Sequence, residues 1–183
     1  MYLLDTMIVS YFLEAGREAE LRQAAAVCPM AIVDEVQGEL LNDKSRGGRA
    51  FDRWIKSTQI KVLSIVVGSA ESQTLAQLLN PHLPDQGRGE RASIALASGN
   101  SALTFVTNDK GGTIIAHREL WMPGERILGL AVFLRRLVDG GALDKADVVD
   151  EIIALRSAQR PTWWATWRTG IGGAPIATPP TST

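Results

Sequence analysis

Four acidic residues stand where an α/β chain places its chemistry. Asp5 ends the apolar run Tyr2-Leu3-Leu4, and Asp109 follows the apolar stretch from Ala102 to Val106. Glu35 lies in the first turns of a helix predicted by the four-residue spacing of Ile32, Val36 and Leu40. Glu90 opens a short helix after a polar, proline- and glycine-containing loop. In an open parallel sheet, ligands collect beyond the C-terminal ends of the strands, and all four acids are expected there. Grouped carboxylates repel one another unless a cation neutralises them. The donors are oxygens, with neither Cys nor His at ligand spacing, so Mg2+ or Mn2+ is the expected ion. Such an ion polarises a phosphate and activates a water. Each acid also has an ordinary use, as a helix cap or a first-turn residue. Recurrence in four strand–helix units is what points beyond capping.

Other residues could support that site. Glu39 is four residues beyond Glu35 on the same helical face, so either could be the second acid; Glu35 is the preferred one. Thr6 and Thr107 put hydroxyls beside Asp5 and Asp109, where they could orient a carboxylate or bond local backbone. Asp85 could add an outer carboxylate from its loop, and Asn108 stands beside Asp109. Arg88 flanks Glu90 and could meet a phosphate. Trp54, between Arg53 and Lys56, could stack on a base, although a core position is the commoner fate of such a residue. His82 and His117 are isolated and read as surface residues.

Strand-like and helical segments alternate along the chain, the pattern of a parallel sheet covered on both faces. Strands are expected near 2–4, 27–30, 60–67 and 102–106, and helices near 6–15, 18–26, 32–41, 49–57, 70–79, 90–98, 127–138 and 144–158, with 114–119 a further helical candidate. The expected architecture is three-layer α/β/α around a central, mostly parallel sheet of four to five strands. The domain should occupy residues 1–158. Residues 159–183 form an extension carrying Trp163, Trp164 and Trp167, whose Pro/Thr/Ser/Gly-rich end is not expected to fold.

The 183 residues are 45% hydrophobic and 21% charged, the balance of an ordinary globular protein, with a net charge of only -1. The charge is uneven, however. The stretch 44–61 holds Lys44, Arg46, Arg49, Arg53, Lys56 and Lys61 against Asp52 alone. Arg46, Arg49 and Arg53, with Arg88, are candidate RNA-binding residues beside the acids, although most such runs are simply solvated faces. The single Cys28 cannot form an internal disulfide and reads as a small buried residue. No apolar run is long enough to cross a membrane, and the N-terminal stretch lacks the basic leader of a signal peptide, so a cytoplasmic location is expected.

Three segments carry a resemblance to a known family. YLLDTMIVSYFL resembles the first strand and helix of PIN domains, GRGERASIALAS resembles the Gly-Glu helix of a PIN subgroup, and ALTFVTNDKGG resembles the strand ending in Thr-x-Asp. The run ILGLAVFLRRLVDGGAL is similar to that subgroup's C-terminal helix and glycine-rich turn. The resemblance spans roughly residues 1–156 and rests on the order and spacing of short motifs. It implies a Mg2+- or Mn2+-dependent ribonuclease with Asp5, Glu90 and Asp109 as metal ligands. The family offers both Glu35 and Glu39 as the second acid. Many PIN domains are toxins of toxin–antitoxin pairs, so an antitoxin protein and a homodimer are the implied partners besides RNA. Asn108 departs from relatives that carry an acid there, which weakens a second metal position.

Two other readings compete. A non-catalytic PIN-like scaffold would bind RNA or protein with the same fold. An aspartyl phosphatase would use Asp5 as nucleophile, but that chemistry commonly needs an acid two residues later, where this chain has Met7.

Overall fold

In the computed structural model the described residues are 1–42, 48–79, 87–143 and 152. The chain opens with strand β1 (Tyr2–Leu4), and Asp5 immediately caps helix α1 (Thr6–Glu14) by accepting a hydrogen bond from the Ile8 amide. Helix α2 (Glu18–Val27) follows and leads through Pro29 into β2 (Met30–Val33). Helix α3 (Asp34–Asn42) starts with no intervening loop, and α4 (Gly48–Lys56) leads to β3 (Lys61–Leu63). Ser69 caps α5 (Ala70–Leu78) through the Ser72 amide. Helix α6 (Arg88–Gly99) then precedes β4 (Thr104–Val106). Helix α7 (Lys110–Ile114) runs into a π-helical turn (Ile115–Glu119), and β5 (Ile127–Leu128) and α8 (Leu130–Asp139) complete the described fold.

The five strands are all parallel, in the order β3-β2-β1-β4-β5, within a three-layer α/β/α fold. The inner strands are buried because helices cover both faces: Leu3, Leu4, Ile32, Val33, Phe105 and Val106 are fully enclosed. Each such side chain contributes about 1.5–3 kcal/mol of burial free energy. Phe12 and Phe133 join them, and Tyr2 meets Phe133 edge to face at 5.2 Å.

Three strand expectations need correction, the first being 60–67, of which only Lys61–Leu63 is strand. The second strand lies at Met30–Val33, not at 27–30. Val27 still belongs to α2 and is 58% exposed, and Ile32 lies in the strand, so only Val36 and Leu40 form the buried stripe of α3. The sequence predicts continuous helix from Ile127, yet its first two residues pair with β4 and the helix begins only after Gly129. A two-residue strand leaves too little alternation to be seen in sequence. The predicted helix 144–158 and the tryptophan-bearing extension lie outside the described residues, apart from buried Ile152. No helix among the described residues is long and apolar enough to cross a membrane.

Candidate functional site

The strand order fixes where a site can form. From β1 the chain builds outward to β2 and β3, then returns to lay β4 against the other side of β1. The crossovers leaving β1 and β4 therefore diverge, and a crevice opens between the C-terminal ends of these two strands. Leu4 pairs with Val106 in the last rung, so Asp5 and Thr107 emerge side by side. The Asp5 amide donates to Val106 O at 3.1 Å, and the Thr107 amide donates to Leu128 O at 2.9 Å, which ties β1, β4 and β5 together at this edge.

Asp5, Thr6, Met7, Glu39, Gly87, Glu90 and Asp109 line a cavity of about 220 Å³ at this crevice. Asp5 and Thr6 come from the β1–α1 junction, Glu39 from α3, Glu90 from the first turn of α6, and Asp109 from the cap of α7. Four separate strand–helix units thus each deliver one acid.

Local hydrogen bonds hold three of these carboxylates. Asp5 Oδ1 accepts from the Ile8 amide at 2.8 Å, and Asp5 Oδ2 accepts from the Thr107 hydroxyl. The same hydroxyl oxygen accepts from the Asp109 amide at 3.0 Å, so Thr107 couples the two aspartates. Asp109 Oδ1 accepts from the amides of Gly111 at 2.5 Å and Gly112 at 3.1 Å. Glu39 Oε1 accepts from the Gly89 amide at 2.8 Å, and its Oε2 accepts from the Thr6 hydroxyl. Thr6 and Thr107, expected to orient a carboxylate or a bound water or else to bond local backbone, each donate to one of the acids.

Space is arranged for the acids by two glycines. A Cβ at Gly112 would lie 2.1 Å from Glu90 Oε1, and one at Gly89 would lie 2.8 Å from Glu39 Oε2. Neither glycine stood out in the sequence, although the Gly111-Gly112 pair directly after Asp109 was a usable signal. Gly87, at φ +63, takes a left-handed conformation at the entry to α6 where a Cβ would also meet Arg91.

The electrostatics match this crowding. Burial pushes the Asp5 carboxyl up to about 6; Asp109 adds to the rise, and the Thr107 and Ile8 hydrogen bonds oppose it. Glu90 is pushed up to about 7, first by burial and then by Asp109 and Asp5, with Glu39 adding less. Negative charge here is therefore disfavoured twice over, by desolvation and by like charges.

The remaining candidates lie elsewhere. Glu35, the preferred second acid, does not line the cavity; Glu39 does. Glu35 instead stands 4.0 Å from Arg88 Nε and against Asp34. The two residues share a helical face, but Glu39 reaches over Gly89 toward the crevice while Glu35, one turn earlier, meets Arg88. Asn108 is exposed and outside the lining. Asp85, Arg46 and His82 lie outside the described residues, as do the side chains of Arg49 and Arg53. At the ends of that basic stretch, Lys56 pairs with Asp52 at 2.8 Å, and Lys61 begins β3, at the edge of the sheet opposite the acids. Trp54 is a core residue whose indole N–H donates to Glu18 O at 2.9 Å. Cys28 is half-buried, and His117 is exposed.

The donor set suits a hard divalent cation: four carboxyls with hydroxyls and amides between them, and no sulfur or imidazole. A positive ion would relieve both the desolvation and the repulsion that raise Asp5 and Glu90. Among the described residues no three His, Cys, Asp or Glu side chains are gathered closely enough to hold a metal ion as they stand. The carboxyls of Asp5, Glu39 and Asp109 accept from amides and hydroxyls. No family model, curated protein or solved structure matches this chain. The likeness to PIN domains accordingly rests on the short motifs alone.

Proposed function

We propose that the chain is a Mg2+- or Mn2+-dependent nuclease that hydrolyses RNA phosphodiester bonds. The observation that carries this reading is the cavity at the β1/β4 crevice, lined by one acid from each of four strand–helix units. The PIN-like motifs support RNA as the substrate class and a toxin as the biological setting. Asp5, Glu90 and Asp109 would hold the ion, with Glu39 in place of Glu35 as the fourth acid. When bound, such an ion polarises the phosphate and makes a water nucleophilic near neutral pH.

The chain's own residues have distinct tasks around it. Thr107 fixes Asp5 and the backbone of Asp109 relative to each other across the β1/β4 seam. Thr6 and the Gly89 amide fix both oxygens of Glu39. Asp5 sits at the end of β1, Asp109 just beyond β4 and Glu39 on α3, so their positions depend on the packed sheet and helices. Met7 occupies the position where an aspartyl phosphatase commonly carries its second acid, and it lines the same cavity, which argues against that chemistry.

A second reading, a PIN-like scaffold that binds RNA or protein without cutting, takes its support from Asn108, a neutral side chain beside Asp109 that lies outside the cavity. One experiment separates the two. The full chain is incubated with single-stranded RNA, and in parallel with single-stranded DNA, with Mn2+, with Mg2+ and with chelator. The nuclease reading expects metal-dependent RNA cleavage that Asp5→Asn and Glu39→Gln each abolish. RNA binding without cleavage under every metal condition would establish the scaffold instead.

A further inference from the structure

We infer that Glu35 is a positioning residue that holds Arg88 at the rim of the acid cavity, where the guanidinium contacts an RNA phosphate adjoining the one in the cavity. This rests on the nuclease reading for the identity of the polyanion, but not on any metal. An acidic cavity repels a phosphodiester strand, so binding needs a cation beside it. Arg88 and Gly89 open α6 directly before Glu90, and α3 faces them with Glu35 against Arg88 and Glu39 against Gly89. Glu35 and Glu39 are one turn apart on α3, about 5.4 Å along its axis. The Arg88 side chain thus stands one turn along α3 from the acid cavity, and a single strand can touch both.

The contact is built to hold the arginine without consuming it. Glu35 Oε1 lies 4.0 Å from Nε, and among the described residues neither Nη group has a hydrogen-bond partner, which leaves both for a phosphate fork. The Arg88 side chain is 43% exposed, whereas that of Glu35 is only 16% exposed. Neighbouring Arg91 differs, since its Nη1 donates to Gly87 O at 3.2 Å. Glu35 Oε2 is buried and accepts no hydrogen bond among the described residues. Burial and the Asp34 carboxyl push its carboxyl up to about 7, and Arg88 draws it partly back. An anchored arginine loses less side-chain freedom on meeting a phosphate than an unanchored one.

The test uses the full chain and a single-stranded RNA, with affinity measured in chelator at several salt concentrations and Mn2+ binding measured separately. Arg88→Met is expected to weaken RNA binding about ten-fold, the value of one charge-assisted hydrogen-bonded contact, and to flatten the log–log salt slope by about 0.7. Glu35→Gln is expected to weaken RNA binding about three-fold and to leave Mn2+ affinity unchanged, and the double variant should bind no worse than Arg88→Met alone. Glu39→Gln serves as the contrast and should lower Mn2+ affinity. A Glu35→Gln variant that loses Mn2+ affinity as Glu39→Gln does would overturn the inference, because Glu35 would then be a ligand. Additive losses in the double variant, or RNA affinity unmoved by Glu35→Gln, would overturn it too. If the wild-type chain binds RNA but neither binds Mn2+ nor cuts, the nuclease reading fails while coupled losses at Glu35 and Arg88 still uphold this one.

Discussion

Asp5 does two jobs that pull in opposite directions. Its Oδ1 caps α1, which favours an ionised carboxylate, yet the residue is only 2% exposed and shares its cavity with other acids. Its pKa is raised from 3.8 to about 6, and that of Glu90 from 4.5 to about 7. A raised carboxyl pKa favours the folded state below the ordinary value, and that contribution is lost as pH climbs through the folded value. Without metal, the chain should therefore lose stability between about pH 4 and 7 on account of these two groups. Thermal melts across that range in chelator would show it, and added Mn2+ should reverse the trend. Asp5→Asn keeps the cap acceptor and removes the buried charge. It should stabilise the metal-free chain at pH 7.5 by on the order of 2 kcal/mol and abolish metal-dependent cleavage. Gly112→Ala should leave the melting temperature nearly unchanged but displace the Glu90 carboxyl, lowering cleavage at least ten-fold; unaltered cleavage would show that the close approach has no role. The acids Asp5, Glu90 and Asp109 were legible because each follows a strand end or opens a helix after a loop. The choice between Glu35 and Glu39 was not, since helical periodicity gives both the same face and only the place where α6 crosses α3 distinguishes them.

At the scale of elements, the junctions hold features that sequence spacing does not reveal. Arg126, just before β5, donates from Nε to Leu103 O at 3.2 Å and from Nη2 to Asn100 O at 2.7 Å, and Nη2 also donates to Ala97 O. One guanidinium thereby satisfies carbonyls at the C-terminus of α6 and in the turn into β4. Arg126→Met should cost about 2 kcal/mol, the scale of hydrogen bonds to a charged group, read from urea unfolding at constant m-value. Trp121 presents the reverse case: it is 85% exposed and sits at φ 54, a left-handed conformation that a bulky residue adopts at a cost. Trp121→Gly should raise stability by about 0.5–1 kcal/mol, the ~1–2 kcal/mol cost of the left-handed conformation less the extra chain entropy that a glycine loses; a drop would mean that the ring makes contacts worth more than the strain. The long buried runs and their alternation made the three-layer fold readable. The differences at 27–30 and 127–128 have local causes: Val27 and Cys28 are apolar yet end and cap α2, and two residues carry no period.

At the scale of the molecule, a cation bound only by the folded chain stabilises it by mass action. Mn2+ at a hundred times its dissociation constant should add about 2.7 kcal/mol, a gain that chelator removes and Asp5→Asn never shows. Assembly is also a matter of timing. The crevice joins β1 to β4, whose registered partners Leu4 and Val106 are far apart along the chain, and Thr107 is tied in turn to Leu128. Bringing such distant segments together is the slow part of folding a parallel sheet. Ribosomes add roughly 5–20 residues per second, so Asp5 exists for several seconds before Asp109 is made. A nascent chain holding Asp5, Glu39 and Glu90 still lacks the strand that closes the crevice, and so the acids remain separate until β4 is made. A chain that cuts RNA while still attached to its own message would endanger its own synthesis. Under the nuclease reading, the return of β4 to the middle of the sheet postpones that hazard until Asp109 and β5 have been made.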